Sequence, residues 1–484
     1  MKPFPRSMLK HGIACILLFQ FLVSCAVNPV TGKRELNLLS ERREIQLGAE
    51  ADPAIIAQYG LYKDDRIAKF VDDLGQKMAR ISHRPTLAFH FRVLDSPVIN
   101  AFALPGGYVY ITRGILGYIN SEAELAGIMG HEIGHVTARH GAKAYTRAQI
   151  AQVGFAAGYI LSPTFRQFGD LASQSIGLLF LKFSRDQERQ ADELGVLYST
   201  KIGFDATNMS HFFGTLSRLR SESGQSLPDW QATHPNPNER EAKTLALTKQ
   251  DQAKFPRKKF RTDRAPYLKL IDGIVYGEDP RQGFVENGYF YHPTLDFQFP
   301  VPQGWQVVNT PQQVQLVNEK QNAGIQFSLA DEATARAAAA AFISKSKAKV
   351  LKSDVKRFHG FPTEIRESTV TTQQGELKIL SYFIQKGKQV YVFHGFGSPA
   401  NYNKNLSSFK YTMGNFNRLK NQKARHVKPT RVKIVRVTKR TTLKRFLSKY
   451  PNKKVPPEKL AIINGMQLTD KVKPGDQIKV LKKF

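Results

Sequence analysis

His131, Glu132 and His135 stand in the order H-E-x-x-H within Ser121–Gly141, SEAELAGIMGHEIGHVTARHG. Two imidazoles four residues apart on an α-helix lie about 40° apart around the axis, so both project from one face. At that spacing a single Zn²⁺ can take a nitrogen from each at ~2.0–2.1 Å. Glu132, next to the first histidine, can then serve as general base toward an attacking water. The competing reading is a pair of hydrogen-bonded core histidines. Further ligands are needed to separate the two.

A second stretch, Ser184–Glu193 (SRDQERQADE), offers them. Glu188 and Asp192 are again four apart and share a helix face. A carboxylate set opposite two histidines completes a three-ligand zinc site with one position open, the arrangement of catalytic rather than structural zinc. Ligand histidines usually donate their other N–H to a carboxylate, and Asp192 is the candidate for that second role. The alternative is a solvated face, because Arg185, Asp186, Arg189 and Glu193 are charged as well.

The elements that must position these residues can be read around them. Ser121 and Glu124 have the S-x-x-E spacing of a capping box, and Gly141 can end the helix. Helical patterns precede it at Ser40–Tyr59 and Asp64–Ile81, and Leu87–Leu94 alternates as a strand. Asn100–Ile111, NAFALPGGYVYI, reads as strand, Pro-Gly-Gly turn, strand. Ala144–Phe183 is unusually apolar and divides around Ser162-Pro163-Thr164 into two pieces too short to span a bilayer. It reads as two buried or gate-like helices, or as a membrane-surface contact. Residues 251–282 are polar and basic, a linker or peripheral cover.

At 484 residues the chain exceeds one hydrophobic core, and 41% hydrophobic with 23% charged residues is a globular balance. The net charge of +31 is uneven. Asn401–Phe484 alone holds 23 Lys and Arg against Glu458, Asp470 and Asp476. Such a segment calls for an anionic partner: nucleic acid, anionic lipid or cell-wall polymer. The amino terminus chooses among them. Lys2, Arg6 and Lys10 precede the apolar run Ile13–Val23, the layout of a secretory signal peptide. It ends in Leu22-Val23-Ser24-Cys25, which resembles a bacterial lipobox, with cleavage before Cys25 and lipid on its thiol. Ala26 in place of Asp implies outer-membrane sorting. Cys15 leaves with the signal, so the mature chain has no thiol pair and no disulfide. An exported, lipid-tethered protein excludes nucleic acid as the natural partner.

Together H-E-I-G-H, E-R-Q-A-D, N-A-F-A-L-P-G-G and T-H-P-N-P-N-E-R resemble the zinc metallopeptidase family that includes HtpX and the CAAX prenyl proteases. The start C-A-V-N-P-V-T-G-K-R is similar to its bacterial lipoprotein (BepA/LoiP-like) branch. The resemblance runs from Cys25 to Leu247. It implies one Zn²⁺ per chain on His131, His135 and Glu188, Glu132 as general base and Asp192 supporting a ligand histidine. It also implies Asn100, Ala101, Phe102 and Ala103 as an edge strand that holds the substrate backbone. His234 would act near the metal, stabilising the oxyanion or serving as a fourth, inhibitory ligand, with Arg240 beside it; a loop histidine capping the next helix is the alternative. His140 reads as structural. The helical repeats of the BepA type are absent downstream.

From Gly283 the texture changes to β-like alternation, then an alanine-rich helix (Glu332–Ala348), strands at Glu376–Gln385 and Gln389–Phe396, and a helix near Ala400–Phe416. Phe297–Trp305, F-x-F-P-x-x-x-G-W, loosely resembles domains of the PsbP and Mog type. Lys428–Phe484, with I-N-G and K-P-G-D, resembles a LysM domain, a binder of cell-wall glycan; a plain basic tail is the alternative. The fold expected is multidomain α+β: signal peptide 1–24, tether 25–39, a mainly helical zincin-type domain with a small edge sheet at 40–250, linker 251–282, an α+β accessory domain 283–420 and a βααβ LysM-like domain 428–484. The function expected is a zinc endopeptidase acting on misfolded or misassembled envelope proteins, placed at the outer membrane facing the periplasm and touching peptidoglycan through its basic end. A non-catalytic wall-tethered adaptor and a cell-wall peptide hydrolase are the rivals.

Overall fold

The computed structural model describes residues 25–150, 183–223, 234, 237–372, 375–452 and 454–483. The leader at 1–24 and most of the apolar stretch read as gate helices lie outside the described residues. The described chain is a mixed, multidomain α+β protein. No described helix is long and apolar enough to cross a membrane.

Two short strands, β1 (Cys25–Val27) and β2 (Arg34–Leu36), form an antiparallel hairpin. The segment expected as a free tether is therefore folded, and it is strapped to the body. Asn28 donates to the Ala138 carbonyl, Lys143 pairs with Glu35, and Leu39 is buried. Helices α1 (Glu41–Tyr59) and α2 (Asp65–Arg80) start where side chains satisfy their first free N–H groups. Ser40 accepts from Arg43 N, and Asp64 accepts from Arg66 N and Ile67 N.

Strands β3 (His90–Leu94), β4 (Ala101–Leu104) and β5 (Tyr108–Thr112) form a sheet in the order β3-β5-β4. β5 is central, parallel to β3 and antiparallel to β4, which leaves β4 at an edge. The tight turn between β4 and β5 needs Gly106 and Gly107, both at positive φ. Phe102 stacks on Tyr110 across the pair at 4.8 Å.

After α3 (Arg113–Tyr118) comes α4 (Glu122–Thr137), buried along its length from Ala123. A helix apolar on all sides belongs at the centre of a domain. Its start departs from the expected box in one respect. Ser121 Oγ accepts from Glu124 N, but Glu124 Oε2 accepts from Asn120 N, one residue before the cap. Its end also comes earlier than Gly141. Arg139 takes the left-handed conformation at φ 56°, fixed by its side chain, which donates to Glu44 Oε2 and the Leu39 carbonyl. α5 (His140–Ile150) follows at once.

α6 (Arg185–Lys201) opens on a full capping box between Ser184 and Gln187. It crosses α4 at glycine-width distance. A Cβ on Gly195 would come 3.1 Å from Gly127 O, and one on Gly134 would come 3.3 Å from Ala191 Cα. This close approach lets carboxylates on α6 reach histidines on α4. α7 (Thr207–Ser223) and α8 (Pro237–Gln252) pack beside them. The segment read as a linker contains α9 (Arg264–Ile271), whose Tyr267, Leu268 and Ile271 are fully buried in the same core. Tyr267 donates to the Leu116 carbonyl.

The accessory region holds a three-stranded sheet of β6 (Phe284–Glu286), β7 (Tyr289–His292) and β8 (Phe297–Pro300). Beside it lies a seven-stranded antiparallel sheet, β12-β13-β14-β15-β11-β10-β9. Its strands are β9 (Gln306–Asn309), β10 (Gln313–Val317), β11 (Ala323–Ala330), β12 (Lys349–Phe358), β13 (Phe361–Thr372), β14 (Gly375–Lys386) and β15 (Gln389–Gly397). Helices α10 (Ala335–Ser346) and α11 (Pro399–Gly414) pack on it, and the short α12 (Gln422–Arg425) leads out.

The carboxyl end is β16 (Thr430–Arg436), β17 (Thr441–Thr442), α13 (Leu443–Leu447), α14 (Pro457–Ile463), β18 (Lys471–Val472) and β19 (Gln477–Lys483). Its β-α-α-β layout is the expected one; its independence is not. Val432, Leu443, Ile463 and Val480 belong to one continuous apolar core with Met129, Ile133 and Leu194 of the helical domain.

Candidate metal centre

α4 delivers His131 and His135 one turn apart, α6 delivers Glu188, and His234 arrives from the loop before α8. All four side chains are buried, and their donor atoms lie within 4.8 Å of one another. Ligands at ~2.0–2.1 Å around a tetrahedral ion sit about 3.3 Å apart. The observed separations bracket that value. His131 Nε2 is 3.0 Å from His135 Nε2, 3.3 Å from His234 Nδ1 and 3.7 Å from Glu188 Oε2. His135 Nε2 is 3.5 Å from Glu188 Oε1, and His234 Nδ1 is 3.0 Å from the same oxygen.

The chemistry of the donor set points the same way. His131 Nε2 faces both His135 Nε2 at 3.0 Å and His234 Nδ1 at 3.3 Å, and a cation between the three rings lets all of these nitrogens serve as acceptors. Both oxygens of buried Glu132 lack a hydrogen-bond partner among the described residues, an arrangement that costs free energy unless something else uses them. The residues therefore fit zinc.

A layer of polar contacts fixes the donors. Asp192 Oδ1 lies 2.9 Å from His131 Nδ1, which leaves Nε2 facing the centre. Arg240, buried on α8, donates to both Asp192 oxygens and pairs with Glu188 at 3.2 Å. His140 Nδ1 meets His135 Nδ1 at 3.0 Å, while its Nε2 meets Gln190 Oε1 at 2.9 Å. Phe183 stacks on His135 at 4.1 Å.

Burial raises the pKa of Glu132, and His234 and His131 pull against it. Burial also pushes Asp192 up, but Arg240 and His131 outweigh it and hold the carboxyl at about 2. Glu188 is lowered on balance, its burial overcome by His234 and Arg240. Burial keeps His140 neutral, at about 4. Burial and the neighbouring imidazoles push His135 well below the usual histidine value.

The structure thus gathers the sequence candidates His131, Glu132, His135, Glu188, Asp192 and His234 into one buried cluster. Of the strand candidates, Ala101, Phe102 and Ala103 lie on edge strand β4, which packs against α4; Asn100 precedes it and takes a hydrogen bond from Thr112 N. His140, read as structural, touches a ligand candidate directly. Arg240 holds more of the site than its sequence context suggested. Its signal was the i, i+4 acid pair on α6, which offers two carboxylates on one face to a cation. A cavity of about 300 Å³ opens between α6 and α8 behind Glu188 and Asp192.

Residues 66–247 match the family model for peptidase family M48. The mitochondrial metalloendopeptidase OMA1 of Arabidopsis thaliana is 35% identical over 172 residues, 35% of this chain and 33% of that protein. The beta-barrel assembly-enhancing protease of Escherichia coli (strain K12) is 29% identical over 230 residues, 46% of this chain and 47% of that protein. The chain thus spans between a third and a half of these relatives. Cyanobacterial PsbP from Synechocystis is 13% identical with a TM-score of 0.23, over 26% of this chain and 89% of that one.

Proposed function

We propose, from the match of residues 66–247 to the zinc-dependent peptidase family M48, that the protein is a zinc endopeptidase of the bacterial cell envelope that cleaves misfolded or misassembled proteins there. The observation that carries the reading is the buried His131, His135, Glu188 and His234 set with the unsatisfied Glu132 carboxylate at its side. Zinc, when bound, supplies Lewis acidity that polarises a scissile carbonyl and lowers the pKa of a water toward ~7.

The chain's own residues do the rest. Glu132 takes a proton from the attacking water and returns it to the leaving amine. A carboxyl kept dry and raised by burial suits that two-way transfer. Asp192 and Arg240 hold the His131 ring, and His140 holds the His135 ring. Edge strand β4 pairs with an extended segment of substrate, a backbone-reading mode that selects accessible, unfolded strands over sequence. His234 closes the donor set in this arrangement, so it acts as an inhibitory fourth ligand that must leave before a substrate carbonyl enters. Once displaced, it stands ready to stabilise the oxyanion. Four protein donors would close the position that catalytic zinc keeps open for water or substrate, so the site rests until His234 leaves.

The address follows from the lipobox-like start. Lipid on Cys25 would hold the protein to the outer membrane, facing the periplasm. The cationic LysM-like end would meet the carboxylates of peptidoglycan. Support for that division of labour comes from placement: the Cys25 hairpin is strapped to one end of α4 and the cationic module to the other. The test is Glu132→Gln. It should abolish zinc-dependent cleavage of casein, a loss of roughly 10²–10⁴-fold, while metal analysis still finds zinc. Cleavage that persists in the variant would sink the mechanism.

A further inference from the structure

Lys479 is fully buried on β19, although its module exposes many cations, Lys439, Arg440, Lys444 and Arg445 among them. Its ammonium has three N–H donors, and all three are used. They reach the carbonyls of Gly117 at 3.0 Å, Ile119 at 2.6 Å and Ile463 at 3.1 Å. Gly117 and Ile119 frame the turn that launches α4. The side chain of Asn120, in the same turn, donates to the Ile463 carbonyl at 3.2 Å, and its N–H donates to Glu124. Arg264 donates to the Asn120 carbonyl, and Arg218 on α7 to the Met466 carbonyl. Asn464 fixes the lysine's own backbone, accepting from Lys479 N and donating to Lys479 O.

Glu124 lies in the first turn of α4, nearly fully buried. Lys479 and Arg264 are the cations that favour its charged form. Burial pushes the Glu124 carboxyl up to about 7 and the Lys479 amine down, each group favours the other's charged form, and half-buried Arg264 adds to the pull on Glu124. A buried amine with every proton placed is a specific fastening, because removing it takes this donor from the Gly117 and Ile119 carbonyls and leaves the Ile463 carbonyl with Asn120 alone.

We propose that Lys479 is a positioning residue for the metal centre: through it the carboxyl-terminal module clamps the lead-in turn of α4 and so sets His131 and Glu132 against α6. The module's first task is then inside the molecule, and its cationic face is carried on a part of the catalytic unit. The inference rests on the peptidase reading for what the clamp serves, but the clamp can be tested without activity.

The test uses the full chain. The Zn²⁺ dissociation constant, read by competition with a chromogenic chelator, should rise at least roughly tenfold in Lys479→Met. Amide exchange at 122–131 should speed up in the same variant. Adding Glu124→Gln to Lys479→Met removes the buried charge that Lys479 offsets but not the lost carbonyl bonds, so it should recover only part of the zinc affinity; Lys483→Met, exposed nearby, should change neither readout. A folded Lys479→Met with native zinc affinity and native exchange overturns the proposal. Should that variant not fold, the unmodified protein decides. Its slowest amides in α4 and in β19 should open with one shared free energy, and a carboxyl module that opens first, alone, refutes the clamp. Should the unmodified protein bind no zinc at all, the peptidase reading fails, and the exchange result still judges the clamp.

Discussion

Two regions of this molecule bury histidine, and they do so in opposite ways. In the accessory sheet, His394 on β15 lies against Ser381 on β14, with Nδ1 2.8 Å from the hydroxyl, and stacks on Phe342 at 4.4 Å. Burial drives that imidazole down to about 3, so it is neutral, and the pair of donor and acceptor is complete. In the metal centre, His131, His135 and His234 turn nitrogens toward each other and toward Glu188, while Glu132 holds two oxygens with no hydrogen bond. The first histidine is packing. The second group gathers acceptors that a bound cation would balance. Burial alone does not mark a metal site; the mismatch of donors and acceptors does.

That contrast can be broken most severely by removing a ligand. His131→Ala or His135→Ala should abolish zinc retention and proteolysis together. Stripping zinc from the native protein should cost the helical domain about 2.7 kcal/mol relative to zinc held at a hundred times its dissociation constant. Calorimetry would register both, with the unfolding of the accessory sheet unmoved. A peptidase domain equally stable with and without zinc would contradict the four-donor reading.

A smaller change sharpens it. Asp192→Asn keeps the shape but removes the anion that fixes the His131 ring, and should weaken zinc roughly 10–100-fold. The equivalent cut in the other region, Ser381→Ala, should cost about 1–3 kcal/mol of accessory-domain stability and leave casein cleavage untouched. Any loss of cleavage there would mean the two regions are coupled.

The smallest effect is in pH. The folded pKa of His394, about 3, lies below its ordinary value near 6.5, so between those limits the unfolded chain binds a proton that the folded chain does not. Stability contributed by this group is therefore full above about 6.5 and lost as pH falls toward 3, at up to ~1.4 kcal/mol per unit. Urea titrations of the accessory transition should show that slope, and His394→Phe should flatten it.

Much of the centre was legible in the chain because helices impose spacing. His131 and His135, like Glu188 and Asp192, are four apart, and a 3.6-residue turn leaves them little choice of direction. The β4–β5 hairpin was equally plain from its Pro-Gly-Gly turn. What escaped notice had no local signature. β12, KVLKSDVKRF, is exposed on both faces and so shows no apolar alternation, and with β13 it was passed over. α9 is only eight residues long and is buried against Leu116, some 150 residues away. Lys479 sits in QIKVL, where a lysine reads as the solvent side of a strand. Arg240 and His140 matter because of what lies across from them, which no spacing along the chain reveals.

The hairpin at Cys25 and the carboxyl module grip α4 at its two ends, about 24 Å apart along sixteen residues. The helix that carries His131 and His135 is thus also the element that joins the amino-terminal hairpin to the carboxyl module.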